Sequence, residues 1–349
     1  MTRLKAGTDA YRFRLEFLRG RSTRVHEVEL TRPDFDRAIE ATFFDALRRG
    51  RFSEYDPPLD RARVEPCFVE GDATPRSAGF TVTLPTPDGG EHRCSFDLLF
   101  FKNVGRRVGV ELMASQRLPE DVELHFQLGA YLDAAEKKTA DGLAFELETA
   151  APSIPIRPGS RKQFGATETW DRPLVEDFPV LLPRHVIEAA VDEARRAPER
   201  EVGGVLLGHL RRDEDRGDLF LEVTCLVPAE ETQATEISVT FTHETWARVR
   251  EVIDWRGEGE IFAGWVHSHP FRFCAECPLP VPAECVAKVM FYSGEDEFLM
   301  ETSFARPFMV GLLTAVEPRL ESVLGHAPVK LYGWKTGLIE PRGFEVIET

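Results

Sequence analysis

Ile261-Phe262-Ala263-Gly264-Trp265-Val266-His267-Ser268-His269-Pro270 reads as a β-strand that ends in chemistry. The run leading in is mostly apolar and strand-forming, and Pro270 cannot continue a ladder, so the strand stops just past the second histidine. Side chains two residues apart on a strand project to the same face. His267 and His269 can therefore offer both imidazoles to one metal ion, and neutral imidazoles on a rigid element commonly begin a zinc site. Upstream, Glu201-Val202-Gly203-Gly204-Val205-Leu206-Leu207-Gly208 follows a helix-like stretch, Pro183 to Arg196, and reads as a core strand opened by a fixed carboxylate. Downstream, Ser293-Gly294-Glu295-Asp296 precedes Phe298-Leu299-Met300 and reads as a helix start, with Ser293 as its cap and Asp296 in its first turn. Asp296 is the only aspartate C-terminal to His269, which makes it the expected third ligand. A catalytic zinc also needs an open position and a general base, and Glu201 is the candidate for the base.

Taken in this order, Glu201 before a Gly-rich strand, His267-Ser268-His269-Pro270 and Ser293-x-x-Asp296 resemble the JAMM (JAB/MPN-type) zinc metalloprotease family. The surroundings agree. Phe241-Thr242 leads into a helix with Trp246, Val249 and Ile253 on one face, and strands are expected at Pro307 to Gly311 and at Val329 to Trp334. The resemblance implies a mixed sheet flanked by helices in the C-terminal half. It also implies a catalytic zinc held by His267, His269 and Asp296, with Glu201 moving the proton and Ser293 steadying the oxyanion. The implied substrate is an isopeptide or peptide bond at the C-terminal tail of a ubiquitin-like protein or conjugate. Two other classes fit the same residues: a catalytically silent scaffold that binds protein partners, and a hydrolase of small-molecule amides.

The chain departs from the family between His269 and Ser293, where the spacing is much longer and an insertion is expected over 271–292. Lengthening a flexible loop by this much costs only about 1 kcal/mol of closure entropy, so Asp296 is kept as a ligand. The insertion carries Cys274, Cys277 and Cys285, flanked by Pro278, Pro280 and Pro282. Three thiolates are enough for a second, structural zinc if a fourth ligand joins them, and the same pattern also suits reduced thiols in a proline-stiffened loop.

With 349 residues and 42% hydrophobic composition, the chain has room for two domains. Its 59 acidic against 43 basic residues argue against a nucleic-acid partner, which would demand clustered positive charge. No window is apolar enough to span a membrane, no apolar h-region follows Met1-Thr2-Arg3-Leu4-Lys5, and six cysteines in this pattern suggest a reducing cytoplasm. Arginine outnumbers lysine thirty-five to eight, as in GC-rich bacterial coding. The Pro-rich stretch 150–173 reads as a linker between an N-terminal α+β domain, 1–149, and the JAMM-like domain, 174–349.

The N-terminal half shows no catalytic motif. Strands are expected at Tyr11 to Leu18 and Val25 to Leu30, a helix over Asp34 to Arg49, and a hairpin of Phe80 to Leu84 with Cys94 to Phe101. A further strand is expected at Val108 to Met113 and a helix over Leu124 to Lys137. Cys67 and Cys94 stand alone and read as buried thiols. His185, His209 and His243 read as structural or surface residues, and Trp265 and Trp334 as core.

Overall fold

A computed structural model describes residues 11–20, 23–68, 76–115, 123–132, 154–171, 173–174, 177–229, 241–270, 283–287, 289–315 and 318–348. It divides into two compact units, Met1–Leu47 with Arg51–Ser153, and Arg48–Gly50 with Ile154–Thr349. Among the described residues no helix is long and apolar enough to cross a membrane.

The N-terminal unit contains β1 (Tyr11–Arg19), β2 (Thr23–Leu30), α1 (Asp36–Arg48), β3 (Arg63–Phe68), β4 (Arg76–Pro85), β5 (Glu91–Asp97), α2 (Lys102–Ala114) and β6 (Leu124–Leu132). Its sheet has the order β2-β1-β6-β4-β3, with β5 added to β4. On α1 the buried residues Ile39, Phe43 and Leu47 recur every fourth position, the stripe a helix needs to cover a sheet. Two expectations are corrected here. Val108 to Met113 is the end of a helix, because Val104, Val108 and Leu112 repeat at helical spacing and Val108 and Leu112 are buried. Leu124 to Leu132 is a strand instead of a helix, and its residues pair antiparallel with β1 from Tyr11↔Leu132 to Arg19↔Leu124. In the first segment helical spacing prevails over the strand preference of its β-branched valines, and in the second the alternation of Leu124, Phe126, Leu128 and Ala130 is the strand period. Residues 98–101, expected as the hairpin's end, form a 3₁₀ turn.

The C-terminal unit follows with β7 (Ile156–Gly159), β8 (Glu168–Trp170), β9 (Val180–Pro183), α3 (Arg184–Arg196), β10 (Gly203–Asp213), β11 (Leu219–Pro228), α4 (His243–Arg256), β12 (Ile261–His269), α5 (Ala283–Ala287), α6 (Gly294–Ser303), β13 (Val310–Ala315), α7 (Pro318–Leu324), β14 (Val329–Lys335), β15 (Leu338–Arg342) and β16 (Phe344–Ile347). One mixed sheet runs β15-β14-β13-β12-β10-β11-β9-β16-β8, with β7 pairing β10. The stretch expected as a linker is thus woven into this sheet: β7 pairs parallel with β10, and β8 pairs antiparallel with β16. Both strands are too short, at four and three residues, to show a period in the sequence.

Helix α3 buries Val186, Ile187, Ala190, Val191 and Ala194 against β9, β11, β12 and β13. Cover of this kind explains why β10 is buried from Gly203 to Leu210 and reads as an apolar run interrupted only by His209. Strands β12 and β13 are parallel neighbours, so the chain between them must cross over, and α6 lies on that crossover. A crossover helix starts near the carboxyl end of the strand it leaves, where ligands gather in such sheets. Gly264 permits the close pairing of β12 and β13: its φ is +152°, and a Cβ there would overlap the Val310 carbonyl.

Candidate active site

His267 and His269 occupy the last turns of pleat on β12, both on one face, while α6 begins beside them. Ser293 caps α6, its Oγ accepting the Asp296 N–H at 3.1 Å while its own N–H donates to Asp296 Oδ2 at 2.7 Å. This reciprocal capping box fixes the Asp296 carboxylate and turns it toward the histidines. Asp296 Oδ1 lies 3.2 Å from His267 Nε2, and Oδ2 lies 3.8 Å from His269 Nε2. One donor atom from each of the three residues falls within 4.8 Å of the others.

The surroundings hold each ring in place. His267 is stacked on Trp265 at 4.4 Å between centroids and 9° between planes, and Tyr292 meets it edge-on at 5.4 Å. His269 Nδ1 is 2.7 Å from the Val289 carbonyl, which directs its Nε2 into the cluster. Both ring nitrogens of His267 are buried and neither makes a well-aligned hydrogen bond, Nε2 having only Asp296 Oδ1 beside it at 3.2 Å. Buried polar atoms are seldom left so, and a bound ion is one recognised explanation. A carboxylate and two imidazoles also form a donor set that suits zinc. The three residues therefore fit the metal their sequence pattern implies.

Burial holds the His267 imidazole below its ordinary pKa, which favours the neutral, ligating form. For His269, burial opposes the charge, but the Asp296 hydrogen bond, the Val289 carbonyl and the Asp296 and Glu201 carboxylates together raise it. Burial works against the Asp296 carboxylate too, yet the adjacent imidazoles and the Ser293 N–H hold it well below the usual carboxylate range.

Glu201 precedes β10 and is only 6% exposed, a burial that is rare for a carboxylate. Burial pushes its carboxyl up to about 7; His269 favours the ionised form, and Asp296 and Glu295 favour the protonated one. Its position is set by Ser268, the middle residue of the histidine motif. Ser268 N–H donates to the Val202 carbonyl at 2.8 Å, and Val202 N–H donates to Ser268 Oγ at 3.0 Å. The residue after Glu201 is thereby tied to the residue between the two histidines.

Residues 179–277 match a family model described as JAB1/Mov34/MPN/PAD-1 ubiquitin protease. The C-terminal half carries a JAB/MPN-type domain. The matched stretch includes Glu201, His267 and His269 and ends ahead of Ser293 and Asp296. A search of curated proteins finds no match. Among solved structures, one similar to this chain is the solution structure of protein DSY2949 from Desulfitobacterium hafniense. It is 22% identical, with a TM-score of 0.32, over 49% of this chain and 94% of that one.

Glu201 precedes β10, whereas Ser293 and Asp296 share the first turn of α6, and only this cap and the histidine strand were locally legible. Cys274 and Cys277 lie outside the described residues; Cys285 falls in α5, and its side chain lies outside them as well. Three contributors were missed in the sequence: Ser268 as a clamp, Tyr292 against His267, and Trp265 as the platform under it. Ser268 carried a signal, since a hydroxyl between two same-face ligands must point to the opposite side of the strand.

Proposed function

We propose that the C-terminal domain is a zinc-dependent hydrolase that cleaves isopeptide or peptide bonds at the C-terminal tail of a ubiquitin-like protein or its conjugate. The convergence of His267, His269 and Asp296 in a buried site, where neither His267 nitrogen makes a well-aligned hydrogen bond, is the observation that carries the reading. When bound there, zinc supplies Lewis acidity that makes water a nucleophile near neutral pH. The chain's own residues do the rest. Glu201 sits where burial brings its carboxyl near neutrality, so it can take a proton from the attacking water and return it to the departing amine. Ser293 Oγ already accepts the Asp296 N–H, which leaves its O–H hydrogen to donate to a developing oxyanion. His269, held at Nδ1 by Val289, and His267, held by Trp265, keep the ligand atoms from drifting.

The substrate class is supported by the description of the matching family model, and the reducing setting by the described cysteines Cys67, Cys94 and Cys225, which form no disulfide with one another. The test is a panel of ubiquitin-like proteins carrying a cleavable group on the C-terminal tail, incubated with the full chain. Cleavage that is lost on chelation, restored by zinc and absent in His267→Ala is the expected result. Tight binding of a ubiquitin-like protein without cleavage would make the domain a scaffold, and turnover of small amides alone would make it a small-molecule hydrolase.

A further inference from the structure

The N-terminal unit holds a second convergence of metal-ligating side chains. His92 and Cys94 are two residues apart on β5, so both project to one face. That face is the core side of the hairpin, because their partners across the ladder, Leu84 and Val82, are fully buried. Asp45 reaches them from α1. His92 Nε2 is 2.8 Å from Asp45 Oδ2, and Cys94 Sγ is 3.8 Å from His92 Nε2 and 3.9 Å from Asp45 Oδ2.

We propose that Asp45, His92 and Cys94 form a binding site for a divalent transition metal of the zinc class. Zinc bonds of 2.0–2.3 Å to nitrogen, oxygen and sulfur place tetrahedral neighbours about 3.3–3.7 Å apart. The two sulfur separations lie just outside that range, and the His92–Asp45 pair needs to open by only about half an ångström. A hydrogen-bonded relay does not account for the cluster. In a Cys–His–Asp relay the carboxylate and the thiol use opposite nitrogens of the ring, whereas here both face Nε2. One proton on that nitrogen serves only one of them, whereas one cation at the centre serves all three.

The charges also balance: a thiolate and a carboxylate neutralise a divalent ion, which limits the cost of partial burial. His92 and Asp45 side chains keep 14% and 31% of their exposure, so solvent can complete the coordination. Mixed sulfur, nitrogen and oxygen donors in a tetrahedron favour zinc over magnesium or calcium. The ion would tie α1 to β5.

The experiment loads the metal-free full chain with Co²⁺, whose thiolate complexes show a charge-transfer band in the near ultraviolet. Cys274, Cys277 and Cys285 are first replaced by serine, so that those thiols contribute nothing, and the JAB/MPN histidine site has no sulfur ligand. A charge-transfer band is expected in this background, at one ion beyond the histidine site. Cys94→Ser should abolish it, His92→Gln should weaken cobalt binding at least tenfold, and Cys67→Ser should leave both unchanged. Should Cys94→Ser fail to fold, the His92→Gln titration decides alone. Absence of the band in the triple-serine chain, its survival in Cys94→Ser, or unchanged affinity in His92→Gln would overturn the proposal.

Discussion

Ser268 and Val202 hold each other by two hydrogen bonds, Ser268 N–H to the Val202 carbonyl at 2.8 Å and Val202 N–H to Ser268 Oγ at 3.0 Å. Glu201 is the next residue along, and His267 and His269 flank the serine. The clamp therefore sets the distance between the proposed base and the proposed ligands.

Ser268→Ala should leave the partly buried Val202 N–H without its acceptor, a loss of about 1 kcal/mol in stability. Zinc content should stay at the wild-type level, because the histidines remain on an intact strand. Turnover should fall by more than the stability loss explains, and Ser268→Thr should recover it. Equal activity in Ser268→Ala and wild type, measured at saturating zinc, would show that the clamp does not position Glu201.

Glu201→Gln should retain zinc and fold while losing about 10²–10⁴-fold in turnover, the usual worth of a positioned proton carrier. His269→Ala should lose the metal together with the activity. Elemental analysis beside the rate separates these two outcomes. Unchanged turnover in Glu201→Gln would pass the role of base to another carboxylate.

Much of the site was legible in the sequence because its pieces obey local rules. Two imidazoles on one strand face, a proline that ends the strand and a serine that caps a helix each act within a few residues. The Ser268–Val202 clamp was not legible, since it depends on the β10–β12 register, with Gly203 opposite His267. Nor was the Asp45 cluster: His92-x-Cys94 repeats the spacing of His267-x-His269, but its third member comes from a helix 47 residues before His92. In the N-terminal sheet, the strand period of Leu124 to Leu132 is masked because its intervening residues, His125, Gln127 and Gly129, are weak strand formers. The short strands β7 and β8 are fixed by partners in β10 and β16, which no window along the chain contains.

The raised Glu201 pKa also has a sign for stability. A carboxyl near 7 in the folded state and 4.5 when unfolded favours the fold when protonated. That contribution is complete below about pH 4.5 and is lost as pH rises through about 7. In metal-free protein, Glu201→Gln should therefore be the more stable chain above pH 7, with the difference shrinking toward pH 5. Denaturant melts of the two chains across pH 5–8 measure it, and a constant difference would assign Glu201 an ordinary carboxyl.

His209 should give the opposite slope. It is buried on β10 with Arg157 Nη1 3.5 Å from its Nε2, and burial together with Arg157 and Arg211 lowers its pKa to about 4. A histidine kept neutral in the fold contributes stability that is complete above its unfolded value of 6.5 and lost as pH falls through about 4. His209→Gln should flatten the acid side of the stability profile between those values. Retention of the full wild-type slope in that variant would trace the acid sensitivity to other groups.

Gly311 lies on β13, paired with Trp265 of the histidine strand. A Cβ at this position would overlap Tyr292 Oη and approach Tyr292 Cζ to 2.7 Å and Trp265 Nε1 to 3.0 Å. Tyr292 cannot move freely, because it stacks on Tyr332 at 4.1 Å on one side and meets His267 edge-on at 5.4 Å on the other. Gly311→Ala should therefore drive the ring toward His267 and weaken zinc binding, although residue 311 is not a ligand. The phenol oxygen is the atom in the way, and it is buried without a hydrogen-bond partner, so removing it should cost little. Tyr292→Phe alone should bind zinc as wild type does, and Gly311→Ala with Tyr292→Phe should recover part of the affinity lost by Gly311→Ala. Competitive zinc titration of the three variants reads this directly. Equal affinity in Gly311→Ala and in the double variant would mean that the tyrosine does not transmit the strain to His267.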